Sequence, residues 1–373
     1  MAPYLLLFSV LTGIAVLSQL QLTKNARVAL LLSGYILVVL FIGLRWQTGT
    51  DWSNYYDYYV HTEPIHDPSD SFEIGFRLIN VAIKTTDLNY SGFLTIYTAI
   101  YLGIMILCFE EDNYEMAGWL MLLFYSSFLV AWMGTSRQIM AVGICLYSVR
   151  YIVGGKWAKF ILCVLLAACF HATALCFLIA WPAAKIKLTL RTTWSIFALT
   201  AIAVMLHLGA GVVHVASSGL GIPYLDKMLA VYANPEDQLA VLAYVDSPGL
   251  TALFYLKRLL FLLFFTFCFR LFKSDRDKLY FKLYVISVVI FALFFEVVPM
   301  IPLRAGMYFG ISELFLMAAL TRRIQSSIWR NLYCIGLIIL CFARLYTDLN
   351  SRTSDLYLPY KAIFYNRDIY RNN

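Results

Sequence analysis

Residues 27–44 read "RVALLLSGYILVVLFIGL". After Arg27 the run carries no charged side chain, and a helix of this length crosses most of a hydrocarbon layer about 30 Å thick. Backbone amides cannot go unpaired in lipid, so such a run closes its own hydrogen bonds as an α-helix. Comparable runs lie near residues 4–22, 91–109, 116–133, 136–153, 194–216, 251–272, 279–298, 303–320 and 328–346. The 373-residue chain is 61% hydrophobic and only 14% charged, a composition that excludes an ordinary soluble domain. The expected fold is an all-α, polytopic integral membrane bundle of about 10–12 transmembrane helices. The unbroken apolar runs argue against a β-barrel, whose strands alternate over roughly ten residues.

Two segments are ambiguous. Residues 72–86, "FEIGFRLINVAIKTT", are short and carry Arg77 and Lys84, which suits an interfacial helix. Residues 159–184 are long enough to span but hold His171 in their middle. Short loops rich in Lys and Arg orient a membrane protein. Lys24/Arg27, Arg150/Lys156/Lys159, Lys185/Lys187/Arg191, Arg270/Lys273/Arg276/Lys278 and Arg322/Arg323/Arg330 fall on one side, read as cytoplasmic. That leaves outside a loop at 45–72, a second at 217–250, the short 299–303 stretch and a tail at 347–373, provided that 159–184 enters and returns, the preferred solution, or that it and 72–86 both span. The opening stretch, without a basic region or cleavage site, reads as a retained first helix. The whole chain, 1–373, is expected to be a single transmembrane domain.

Composition also narrows the chemistry. The net charge of +7 is accounted for by the cytoplasmic basic loops, so no nucleic-acid partner is expected. The eight cysteines all sit in apolar segments without C-x-x-C spacing, which suggests packing rather than disulfides or zinc. His207 and His214 share a helix face but lack a third ligand. Glu296 and Glu313 lie in apolar runs, where an ion pair with Arg is the expected fate. There is no P-loop, no dinucleotide-binding fingerprint and no H-E-x-x-H, and the cytoplasmic loops leave no room for a nucleotide-binding domain. No cofactor and no metal are expected.

The candidates for chemistry gather on the outer side. Arg45, Arg137 and Arg304 stand at outer ends of spans, where the charge rule disfavours them. Guanidinium groups there suit a phosphate or pyrophosphate, although each can equally snorkel to lipid headgroups. The loop "RWQTGTDWSNYYDYYVHTEPIHD" (45–67) adds Asp51 in a tight polar turn beside Arg45, and the rings of Trp46, Trp52, Tyr55 and Tyr56 with the carboxylate of Asp57. Rings and carboxylates together suit sugars, and an interfacial aromatic belt accounts for part of the same pattern. His171 is either a packing residue or a proton acceptor near neutral pH.

Four stretches, in order, carry a family likeness. "GLRWQTGTDWSNYYDYY" (43–59), "SRQIMAVGICLYSVRYIVGGKWAKFILCVLLAACFHATAL" (136–175), "PLRAGMYF" (302–309) and "DLYLPYKAIFY" (355–365) together resemble EpsG-like proteins, the Wzy-type O-antigen or exopolysaccharide polymerases of bacteria. The departure is Trp52 where Tyr is commoner after the Asp. The resemblance implies a metal-independent, GT-C-like membrane glycosyltransferase of polysaccharide or lipopolysaccharide biosynthesis in the cytoplasmic (inner) membrane. It implies that undecaprenyl-pyrophosphate-linked oligosaccharide is both donor and acceptor, on the periplasmic or exterior side. Membrane lipid and the chain-length regulator and flippase of the same pathway are the implied surroundings.

Carried over by position, Asp51 and His171 are the catalytic candidates and Arg45, Arg137 and Arg304 the pyrophosphate-binding ones. Trp46, Trp52, Tyr55, Tyr56 and Asp57 are the glycan-binding candidates. The expected reaction is displacement of lipid pyrophosphate by an acceptor hydroxyl, with inversion at the anomeric carbon. An O-antigen ligase, a membrane acyltransferase and a lipid-linked oligosaccharide flippase are the competing classes.

Overall fold

The computed structural model describes residues 1–61, 72–109, 114–217, 248–351 and 353–364. Glu63, Asp67 and Asp70, the acidic 110–113 stretch and nearly all of the predicted 217–250 loop lie outside the described residues. Among those described, the chain is helical and contains no strand; one isolated antiparallel bridge joins Arg45 to Ala362.

The helices in chain order are α1 (Ala2–Leu17), α2 (Lys24–Gly43), α3 (Trp52–His61), α4 (Ile74–Lys84), α5 (Tyr90–Phe109), α6 (Tyr114–Met133), α7 (Ser136–Val153) and α8 (Trp157–Ala168). After a 3-10 segment, Ala172–Ile179, follow α9 (Ala180–Lys185), α10 (Leu190–Met205), α11 (Leu208–Ser217), α12 (Pro248–Phe267) and α13 (Asp275–Phe294). Then come α14 (Met300–Arg304), α15 (Met307–Gly310), α16 (Ser312–Arg323) and α17 (Ser327–Leu349). They form two compact units: Met1–Val149, Ala158–Leu175 and Met317–Asn373 in one, Arg150–Trp157 and Cys176–Leu316 in the other.

The protein is a multi-pass membrane protein. Among the described residues, five helices are long and apolar enough to cross (Lys24–Gly43, Tyr90–Cys108, Met116–Met133, Thr251–Leu271, Ser327–Leu349), or six if the pair Leu190–Met205 and Leu208–Val215, bent by 69°, counts as one. Other apolar runs form shorter helices, such as Ala2–Leu17 and Trp157–Ala168, or are broken. The run at 303–320 divides into α14, α15 and α16, and the run at 194–216 turns at His207, whose φ is 51°. Among the described residues no group of three metal-ligating side chains occurs. Residues 72–86 form the 11-residue helix α4, about 16 Å long and too short to span.

In the first unit, α6 is the central helix and packs against α1, α2, α5 and α17. Its Trp119, Leu120, Leu123 and Tyr125 are fully buried, whereas Leu32 and Ile36 of α2 and Ile339 of α17 stand exposed for lipid to cover. The C-terminal ends of α2 and α6 and the N-terminal ends of α5 and α7 lie at the same end of this unit, since Arg45 reaches Met133 and Tyr90 reaches Trp52. That end carries α3, α4 and the tail. In the second unit α13 is central, contacting α9 to α12, α14 and α15.

The 159–184 segment belongs half to each unit. In the first, α8 is only 12 residues long and ends on α4, where the Gly75 N–H donates to the Cys169 carbonyl at 2.7 Å. In the second, Cys176 sits at the Ala305 carbonyl while Ala184 accepts from Lys282 Nζ, so 176–184 run antiparallel to α13. Neither half is a full-length span.

Candidate functional site

Arg45 organises the loop after α2. Its side chain is 0% exposed and donates from Nε to Thr48 O at 2.9 Å, from Nη1 to Ile42 O at 2.6 Å and from Nη2 to Met133 O at 2.9 Å. Ile42 and Met133 belong to the last turns of α2 and α6, so two helix C-termini with orphan carbonyls and partial negative charge converge on one guanidinium. Three of its five N–H donors are committed to the main chain. The residue expected to hold pyrophosphate here ties two helix ends together.

The tail holds the same loop from the other side. Trp46 N donates to Lys361 O at 2.9 Å, Ile363 N to Leu44 O at 2.9 Å and Gly49 N to Leu356 O at 3.0 Å. Tyr357 is fully buried, accepts at its carbonyl from Tyr4 Oη (2.7 Å), and burial pushes its phenol up to about 12. Gly49 has φ of 113°, a region open to glycine, and a Cβ there would collide with the Met133 carbonyl.

Asp51 follows and opens α3. Its main-chain carbonyl accepts from Tyr55 N at 3.0 Å, and its Oδ2 accepts from Tyr55 Oη at 3.2 Å. Tyr55 is buried, and burial, reinforced by the Asp51 carboxylate, pushes its phenol up to about 12, so it stays a donor at any working pH. Its oxygen in turn accepts from Arg137 Nε at 3.4 Å.

Arg137 stands in the first turn of α7, the positive end of a helix dipole, which disfavours a cation and favours an anion. The anion is supplied internally: Arg137 Nη1 forms an ion pair with Glu73 Oε2. Glu73 occupies the N-cap position of α4 yet makes no capping bond there, its carboxylate being spent on Arg137. The guanidinium also lies 4.5 Å from the centroid of Phe72. The pair remains about one-fifth exposed (side chains 21% and 23%), so a ligand can reach it.

His171 arrives with the turn that ends α8. Cys169 of that turn takes the Gly75 N–H two residues beyond Glu73, and His171 Nδ1 is 2.6 Å from Thr173 Oγ1. A side chain on Gly75 would strike Cys169 O and Phe170, so glycine permits the close docking of α4 on this turn. The first unit thus brings together Asp51, Tyr55, Arg137 and Glu73 in one polar chain, with the His171 turn docked on the helix that Glu73 begins.

Of the expected glycan residues, Trp52 and Tyr55 are buried inside the fold, whereas Trp46 and Tyr56 are half-buried and Asp57 is exposed. Arg304 ends α14 in the second unit, half-buried. Glu296 lies in the turn after α13 and Glu313 in the first turn of α16. Two residues were passed over. Glu73 was one carboxylate among several in a polar loop. Arg258 sits within the apolar helix α12, donates to Phe254 O at 3.3 Å and stacks 3.4 Å from the Phe291 ring centroid; the Lys257-Arg258 pair inside that apolar run was the available signal.

The sequence model described as the EpsG family matches residues 28–362. No curated protein and no solved structure matches the chain.

Proposed function

The chain belongs to the EpsG family of polysaccharide polymerases, and from that premise we propose that it extends a polysaccharide by transferring an undecaprenyl-pyrophosphate-linked glycan to the non-reducing end of a lipid-linked repeat unit. The acceptor hydroxyl attacks the anomeric carbon, and lipid pyrophosphate leaves with the bonding electrons. The leaving group carries its own driving force, so positioning and charge stabilisation are the main demands on the protein. The proposed setting is the outer face of the bacterial cytoplasmic membrane.

The observation that carries the reading is the Arg137–Glu73 pair at the N-terminus of α7, tied through Tyr55 to Asp51. A cation at a helix N-terminus, held by an internal carboxylate and still partly exposed, is a site that an incoming pyrophosphate can take over. Arg137 then contacts the leaving group. Asp51 orients or deprotonates the acceptor hydroxyl, and His171 is the alternative base. Arg45 leaves the pyrophosphate set and becomes the positioning residue of the Asp51 loop.

The test is direct. Purified protein is incubated with synthetic lipid-pyrophosphate repeat units and the products are separated on a gel. A ladder supports polymerisation; a single non-extended product favours a ligase, and no product with unimpaired lipid binding favours a flippase.

A further inference from the structure

Helix α3 has two faces. Tyr55 and Tyr58 turn toward Phe72 and Phe76, the side of Arg137, whereas Trp52, Tyr56 and Tyr59 turn toward Tyr90 at the start of α5. On that second face lies a cleft of about 450 Å³, within the range of small-ligand sites. Trp46, Tyr56 and Tyr90 supply rings, and Lys84, Asp87 and Asn89 supply polar groups from the turn between α4 and α5.

Several details mark this cleft as built rather than incidental. Trp46 packs edge-on against both Trp52 (4.9 Å) and Tyr56 (5.9 Å), which fixes its ring. Its indole N–H is buried with no acceptor in the protein, an arrangement costly unless a ligand or solvent supplies one. Asp87 holds a left-handed backbone, φ 57°, uncommon outside glycine and frequent where a polar side chain is presented at a site. Asn89 spends its Oδ1 on the Gly92 N–H at 3.0 Å, which leaves its amide N–H groups as donors. Lys84 Nζ stays near the rim, 3.4 Å from Val60 O. The tail closes the cleft through Ile363.

We infer that this cleft is a saccharide subsite, distinct from the Asp51–Arg137 centre, which holds a sugar of the glycan remote from the bond being made. A pyranose offers an apolar C–H face to aromatic rings and equatorial hydroxyls to amides and carboxylates, the two kinds of group assembled here. The inference rests on the glycosyl-transfer reading: Trp52 joins the two sites, being stacked on Tyr56 at 5.1 Å and adjacent in sequence to Asp51. A chain gripped in the cleft would reach the reacting centre around the end of α3.

The test uses the full-length protein in lipid nanodiscs, free of glycoside detergents. The probe is the free oligosaccharide released by mild acid from the lipid-linked repeat units of the producing cells. Saturation-transfer NMR and calorimetry should detect binding to wild type, with affinity weakened about tenfold in Asn89→Ala and in Asp87→Ala, as for one lost hydrogen bond set in a desolvated site. Arg137→Ala should bind the free sugar as wild type does while failing to build a ladder from lipid-linked units. Equal binding by wild type and both cleft variants would overturn the subsite and leave the polymerase reading intact. Sugar binding lost in the cleft variants, in a protein that builds no ladder at all, would retain the subsite and remove the polymerase reading. Displacement of the bound sugar by anionic lipid added to the nanodiscs would instead assign the cleft to headgroups and overturn the inference.

Discussion

Glu73 and Arg137, 64 positions apart, form an ion pair in which the carboxylate at the N-cap position of one helix leaves that helix uncapped and serves a cation at the start of another. On the proposed reading Glu73 occupies the place of the substrate's phosphate. Arg137→Ala should cost about 2–4 kcal/mol of transition-state stabilisation, reducing chain growth by roughly 30- to 1,000-fold. Glu73→Gln should lower KM for the lipid-linked donor several-fold, because no internal anion competes. Initial rates against donor concentration separate the two outcomes, and a raised KM in Glu73→Gln would contradict the competition.

Arg45 should behave differently from Arg137. Arg45→Ala leaves three main-chain carbonyls unpaired in a buried place, and the expected loss of stability is about 3 kcal/mol or more. Thermal unfolding in detergent should show a lower midpoint even without substrate, and Arg45→Lys should recover only part of it. A variant of wild-type stability with a defect confined to donor affinity would restore Arg45 to ligand binding.

Gly49→Ala tests the loop without touching a charge. The positive φ and the Met133 carbonyl both oppose a side chain, so destabilisation of about 1–3 kcal/mol and a displaced Asp51 are expected. Ladder formation should fall while the bundle persists by circular dichroism. Unchanged ladder length would detach Asp51 from the reaction.

Tyr55→Phe keeps the ring and removes the bridge between Arg137 and Asp51. Chain growth should slow by about tenfold, as for a lost hydrogen bond to a charged group. Because the wild-type phenol ionises only near 12 against an ordinary 10, the proton is retained throughout the neutral range, and no rate change there should trace to it. The linkage has a definite sign: a raised folded value favours the fold fully below pH 10, and that contribution is lost as pH rises toward 12. Unfolding midpoints of wild type should therefore fall across that window, and less steeply in Tyr55→Phe.

The membrane-embedded helical class was legible in runs such as 27–44, and so was the gathering of Asp51 and Arg137 at one end. Breaks such as the one at His207 were not, because they come from backbone conformation rather than composition. The tying role of Arg45 was illegible for a related reason. Its acceptors are main-chain carbonyls, one of them 88 positions away, and carbonyls leave no mark in a sequence. Glu73 could be found only once folding placed it opposite Arg137.

The Arg45 tie has an electrical consequence. Two helix C-termini contribute about half a negative charge each, which together match the single positive charge they enclose. The assembly is closed to solvent ions. The loop that presents Asp51 is therefore anchored by an electroneutral clasp, indifferent to the ionic strength of the compartment it faces, while the partly exposed Arg137–Glu73 pair nearby remains open to it.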